Sequence, residues 1–163
     1  MSDINIRTFR PGDEEYVATA HVKIYVGEFG FNPKFSEYVV KIARGYAAAP
    51  KKDREELWIA EDDGKPVGCI LLLETEDPAI GQIRQFLVEK EYRGRGIGSM
   101  LTDAVMAKAK ECRYQKLILQ TGDLQEIAHA HYAHMGFHMV KKWPNEWTTD
   151  GKVHYDEEWE MSL

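Results

Sequence analysis

Cysteine is scarce in this 163-residue chain: there are two, Cys69 and Cys112. They lie far apart and form no C-x-x-C pair, which argues against a metal knuckle or a dithiol redox site. Cys69 sits in the apolar run 66–73, where a buried thiol is expected. No apolar run approaches the ~20 residues needed to span a bilayer. The start, Met1-Ser2-Asp3-Ile4-Asn5, has neither the basic nor the apolar region of a secretory signal. A cytoplasmic, reducing location without a membrane partner is therefore expected. Positive charge is also short. Lys and Arg total 21 against 27 Asp and Glu, a formal charge of −6. This balance argues against nucleic acid as a partner and favours neutral or cationic small molecules. What is present is ordinary globular composition, 44% hydrophobic and 29% charged. The length predicts a single domain over residues 1–163.

Periodicity predicts the elements in order. Ile4–Phe9 alternates as a strand, and Asp13 is placed to cap a helix carrying Val17, Ala20, His21 and Ile24. A second helix follows Asn32-Pro33, with Phe35, Val39, Ile42, Ala43 and Tyr46 on one stripe. The charged run 51–56 reads as a solvated loop. Three strands come next, at Leu57–Glu61, Pro66–Glu74 and Ile80–Val88, the first two joined by an Asp63-Gly64 turn. A helix from Ile97, a strand at Lys116–Thr121, a helix to Met135 and two strands complete the chain. In the last strand Val153, Tyr155, Glu157, Trp159 and Met161 share one face. This order defines a mixed α/β (α+β) architecture.

The segment Arg93-Gly94-Arg95-Gly96-Ile97-Gly98-Ser99 joins a strand to a helix. Its glycines let backbone N–H groups approach an anion, and the helix N-terminus adds unpaired donors and partial positive charge. A P-loop is excluded because no lysine stands between Gly98 and Ser99, and the spacing does not fit a dinucleotide-binding G-x-G-x-x-G loop. A glycine turn without a ligand is the bland alternative; the two arginines favour an anion site.

Arg93-Gly94-Arg95-Gly96-Ile97-Gly98 resembles the R/Q-x-x-G-x-G/A signature of the GNAT acyltransferase superfamily, and Leu87-Val88-Glu89 and Tyr92 resemble the run into it. A second resemblance lies at 128–137, where Tyr132 is followed four residues later by Gly136-Phe137. The stretch from His21 to Val39, with Tyr25, Glu28, Gly30 and Phe31, also resembles acetyltransferase domains found fused to winged-helix regulators. The resemblance implies a mixed sheet of about seven strands with about four helices and splayed central strands. It implies acetyl-CoA as co-substrate, with no metal. Pantetheine would run along Phe86, Leu87 and Val88. The pyrophosphate would lie on the loop from Arg93 through Gly94, Arg95, Gly96, Ile97 and Gly98 to Ser99, with Gln125 nearby. Tyr132 would protonate the departing thiolate, or serve as a packing anchor.

The sequence departs from the family at Gln82, which stands where many members carry a glutamate base, eleven residues before Arg93. Glu28, His21, Tyr25 or a held water are the alternative bases, and Glu28 is taken as the candidate. Tyr25, Glu28 and Phe31 are expected on the acceptor side. Arg84 could bind a substrate carboxylate or form an ordinary ion pair. Gln125 replaces a usual asparagine. Trp147, in a polar loop, is the tryptophan that could line an acceptor pocket. Among the histidines, His129 and His131 stand about 200° apart on a helix, and no three-ligand metal set emerges.

The expected function is acetyl-CoA-dependent transfer to a primary amine by direct attack in a ternary complex, on a small-molecule or protein amine. A longer acyl-CoA or a non-catalytic CoA-binding sensor are the alternatives, and a homodimer is left open.

Overall fold

The computed structural model describes residues 3–163. Its elements are β1 (Ile4–Thr8), α1 (Asp13–Gly27), α2 (Pro33–Ala48), β2 (Glu56–Asp62), β3 (Lys65–Glu74), β4 (Ile80–Val88), α3 (Ile97–Glu111), β5 (Lys116–Gly122), α4 (Glu126–Met135), β6 (His138–Asn145) and β7 (His154–Ser162). A 3-10 turn, Lys90–Tyr92, precedes α3. The strands form one seven-stranded sheet in the order β1-β2-β3-β4-β5-β7-β6. All neighbours are antiparallel except β4 and β5. This is the mixed architecture expected from the order of elements.

Residues 56–60 of β2 and 67–72 of β3 are buried, as strands covered on both faces must be. Alternate side chains therefore enter different layers. Trp58, Ala60, Ile70 and Leu72 join Ile97, Leu101, Val105 and Ala109 of α3. Leu57, Ile59, Cys69 and Leu71 join Val17, Ala20, Ile24 and Ala43 from α1 and α2.

Three local expectations are corrected. Asp13 does not cap α1; Gly12 occupies the cap position, and Asp13 is the first helical residue. Its carboxylate instead accepts from both terminal nitrogens of Arg7, at 2.8 and 2.9 Å, and from the Arg10 amide at 2.6 Å. The run 51–56 is not all solvated loop, because Glu56 begins β2 and is buried, held by Lys51 Nζ at 2.9 Å. Val153 lies outside β7 and is exposed.

Arg7 also donates from Nε to Glu61 Oε2 at 2.8 Å, so one guanidinium ties β1 to α1 and β2. Burial pushes the Asp13 carboxyl up, but the hydrogen bonds and charge of Arg7 outweigh it and hold the group below its ordinary value. Its contribution is therefore present above the ordinary carboxylate range and is lost as pH falls through the folded value. Arg7→Met leaves two poorly solvated carboxylates facing each other. It is expected to cost about 3 kcal/mol at neutral pH and to shrink the loss of stability below about pH 4. Urea unfolding of both proteins at pH 7 and pH 3 checks this; equal midpoints at pH 7 would refute it.

Candidate active site

Strands β4 and β5 are hydrogen-bonded only from Ile80↔Lys116 to Ile83↔Leu119. Beyond that point they part, as the splayed arrangement requires. β4 continues along β3 to Gly68↔Val88, and β5 continues along β7 to Gly122↔Asp156. Two clefts open at the gap.

The first cleft, of about 450 Å³, lies between the end of β4, the glycine loop and α4. Phe86, Leu87 and Val88 line one side of it. Arg93, Gly94, Gly96, Ile97, Gly98 and Ser99 line its closed end. The loop reaches α3 through Gly96, whose left-handed backbone (φ 80°) starts the helix without a side-chain cap. The first-turn amides are thus left for an anion. Arg93 donates from Nε to the Val88 carbonyl at 3.1 Å. Arg95 does not line the cleft: its guanidinium lies over the Tyr92 ring, 4.9 Å from the centroid.

Glu28 also departs from expectation. It lines this loop cleft and not the second cleft, where Phe31 and Arg84 lie, since the end of α1 reaches over the loop. Its carboxylate accepts from Arg93 Nη1 and Nη2 at 2.7 and 3.0 Å. That hydrogen-bonded pairing holds Glu28 below its ordinary carboxylate value, so it is a poor proton acceptor.

The second cleft is smaller, about 130 Å³, and lies between α1, α2 and β4. Phe31, Arg84 and Trp147 line it together with Gln82. Arg84 forms no ion pair; its Nη1 donates to the Tyr38 hydroxyl at 3.0 Å. Trp147 donates from Nε1 to Asp156 at 3.1 Å. Burial pushes the Asp156 carboxyl above its ordinary value.

Tyr25, Phe86, Gln125 and Tyr132 line both clefts, so the two meet there. Tyr132 is buried, with its ring against Phe86, Phe137 and Trp159. Burial pushes its phenol well up, and that of Tyr25 up to about 12. Gln125 accepts from Thr121 Oγ1 at 2.6 Å.

Sequence reasoning missed part of the walls of the second cleft: Phe35 reads as core stripe, and nothing in the sequence marks Tyr38 or Asp156. The polar run Gln82, Arg84 and Gln85 inside an apolar strand was the available signal. His21 is 2% exposed and lines this cleft. Its Nδ1 lies 2.8 Å from the Val17 carbonyl and must donate to it, which leaves Nε2 an acceptor; that atom has no partner. Burial pushes the imidazole down to about 4, so it is neutral.

A cleft lined by a glycine loop, beside parting parallel strands, is the arrangement that the resemblance to acyltransferases implies. The Acetyltransferase (GNAT) family matches residues 18–137, and the chain belongs to that family. Mouse N-acetyltransferase 8B is 31% identical over 112 residues, covering 63% of this chain and 48% of that protein. Human N-acetyltransferase 8 is 36% identical over 84 residues, 49% of this chain and 37% of that one. The chain thus matches half or less of the length of these relatives. A GNAT acetyltransferase from Staphylococcus aureus Mu50 superposes with a TM-score of 0.77 at 22% identity, over 99% of each chain. A GNAT acetyltransferase from Elizabethkingia anophelis, solved with acetyl-CoA bound, gives 0.68 at 20% over 98% of each. These show the shared fold. Among the described residues no helix is long and apolar enough to cross a membrane, and no cluster of three metal-ligating side chains occurs.

A Cβ on Gly96 would meet no protein atom but would sit at a strained φ. Gly98 gives a cleaner test, because its Cβ would lie 3.5 Å from Phe86 Cζ without backbone strain. Gly98→Val is expected to leave the fold intact and weaken CoA binding by more than about tenfold, because its branches fill the cleft beside the loop. Calorimetry checks this; unchanged affinity in a folded variant would exclude the loop as the pyrophosphate site.

Proposed function

We propose that the chain is an acetyl-CoA-dependent N-acetyltransferase that works as one domain and transfers acetyl to a primary amine within a ternary complex. The observation that carries this reading is the junction of the two clefts at Tyr132. A thioester lying along β4 would reach the junction from the loop side, and an amine would reach it from the aromatic side.

On this reading the pyrophosphate lies on the free amides of the loop and first turn of α3. Pantetheine runs in the gap between β4 and β5, beside backbone groups of β4 that have no partner in β5. The amine nitrogen attacks the thioester carbonyl carbon. The N–C bond forms, the C–S bond breaks, and its electron pair goes to sulfur. Tyr132 gives that sulfur a proton; burial keeps the phenol protonated until the sulfur takes on charge beside it. Holding both reactants in one cleft supplies much of the rate. Gln82 cannot accept a proton, and Glu28 is committed to Arg93. The nitrogen's proton therefore leaves through His21 Nε2 or water.

Tyr132→Phe keeps the ring against Phe86, Phe137 and Trp159 and removes the proton. It is expected to lower kcat by about 10²- to 10⁴-fold while leaving acetyl-CoA affinity unchanged. Thiol release in steady state, with calorimetric acetyl-CoA binding alongside, checks this. A kcat equal to wild type would reduce Tyr132 to packing. Acetyl-CoA binding without turnover of any amine would favour a non-catalytic CoA sensor.

A further inference from the structure

The smaller cleft offers hydrogen-bonding groups of two kinds, donors on Arg84 and buried acceptors on His21 and Gln85. Arg84 and Asp156 are the Arg and Asp of its lining, and they do not pair with each other. Asp156 is occupied: it accepts from Trp147 Nε1 and from Asn145 Nδ2 at 3.0 Å. Arg84 spends Nη1 on Tyr38 and retains further donors in the planar fork that matches a carboxylate.

The complementary pair of atoms is His21 Nε2 and Gln85 Oε1. Both are buried, both lack a partner, and both residues line the cleft. Gln85 Nε2 donates to the Val39 carbonyl at 2.7 Å, which fixes Oε1 as the free end. Both free atoms are acceptors whose unmet burial is costly, and a ligand N–H that reached them would recover that cost.

Between these groups the walls are aromatic: Phe31, Phe35, Tyr38 and Trp147. The rings pack tightly, with Phe35 4.7 Å from Phe31 and 5.2 Å from Trp147 between centroids. The volume of about 130 Å³ is close to the roughly 150 Å³ of an apolar cavity that takes benzene. It admits one ring or one branched aliphatic group, not a folded peptide.

We propose that this cleft binds a free amino acid with an aromatic or large aliphatic side chain. Its carboxylate sits on Arg84, its side chain among the aromatic walls, and its amine at the His21 and Gln85 acceptors. That this amine is then acetylated rests on the function proposed above; the binding does not. In the transfer the amino nitrogen forms the amide bond and gives one proton to His21 Nε2, which passes it to solvent. The sulfur takes one from Tyr132, which is reprotonated from solvent, so protons balance for an amine bound in its neutral form.

The test is calorimetric titration of the CoA-saturated protein with L-phenylalanine, L-phenylalaninamide and phenethylamine. The amide stands in for a peptide N-terminus. Phenylalanine is expected to bind at least about tenfold more tightly than either analogue lacking the carboxylate. In Arg84→Gln this advantage should disappear, with CoA affinity unchanged; Arg84→Lys should restore part of it. Equal binding of phenethylamine and phenylalanine, no binding of phenylalanine, or discrimination that survives in Arg84→Gln would overturn the proposal. Turnover separates the two readings. Selective phenylalanine binding without acetyl-phenylalanine formation would refute acetyl transfer and leave the site standing. Acetylation of all three amines with equal kcat/KM would refute the site and leave acetyl transfer standing.

Discussion

Two parallel strands that stay bonded for one short stretch and then diverge set the terms for the rest of the molecule. Past Ile83 and Leu119, β4 and β5 each keep one partner, β3 and β7, and lose the other. Backbone polar groups facing a gap in a sheet need water or a ligand. At the gap the covering layers, α1 and α2 on one side and α3 and α4 on the other, are no longer separated by a hydrogen-bonded β4–β5 pair. Both clefts are consequences of it. One runs toward the glycine loop because that loop continues β4. The other runs toward Phe35 and Trp147 because α2 and the β6–β7 loop close over the opposite face.

The divergence is held by local chemistry on β4. Gln85 takes a left-handed backbone (φ 51°), and the register against β3 shifts there, with Leu71 opposite Arg84 and Cys69 opposite Leu87. A non-glycine residue in that region needs compensation. Gln85 has two anchors: its side-chain amide on the Val39 carbonyl, and its own carbonyl accepting from Cys69 Sγ at 3.2 Å. Gly68 lets the strands close up just beyond, since a Cβ there would lie 2.9 Å from the Leu87 carbonyl oxygen. Gln82 and Arg84 alternate onto one face ahead of the bulge, and Phe86 beyond it lines the junction of the two clefts. Residues 82–86 all border the second cleft, while Ile83 also packs in the core layer with Ile97 and Leu101.

Much of this was legible in the sequence because local signals dominate it. Asp63-Gly64, the β2 and β3 runs and the alternating glycines each fix backbone shape within a few residues. The glycine loop was readable for the same reason, since its role depends on backbone and not on distant partners. What escaped depends on contacts far apart in the chain. Glu28 looked like a free carboxylate beside glycines; 65 residues later Arg93 claims it. Asp13 looked like a cap, and Arg7 and its bridge to Glu61 across 54 residues made it part of an ion-pair network. Gln85 carries no turn signature, so no periodicity rule would place a bulge there. Arg95 was counted with the anion site because it is basic and adjacent, yet stacking on Tyr92 draws it away.

The proton chemistry of the proposed reaction follows from burial acting on groups of opposite type. Desolvation disfavours whichever form carries charge. A phenol is charged when deprotonated, so burial keeps Tyr132 and Tyr25 protonated. An imidazole is charged when protonated, so the same burial keeps His21 unprotonated. One environment therefore keeps phenol donors protonated and an imidazole acceptor neutral, which suits the proposed route from tyrosine to sulfur and from nitrogen toward imidazole. A glutamate at position 82 would put an anion into this setting, where it would need a cation or would draw a proton itself. Gln82 avoids that cost and leaves Arg84, two residues along the same strand face, without an internal counter-ion. On the proposed reading, a glutamine at position 82 and an Arg84 available to a substrate carboxylate go together.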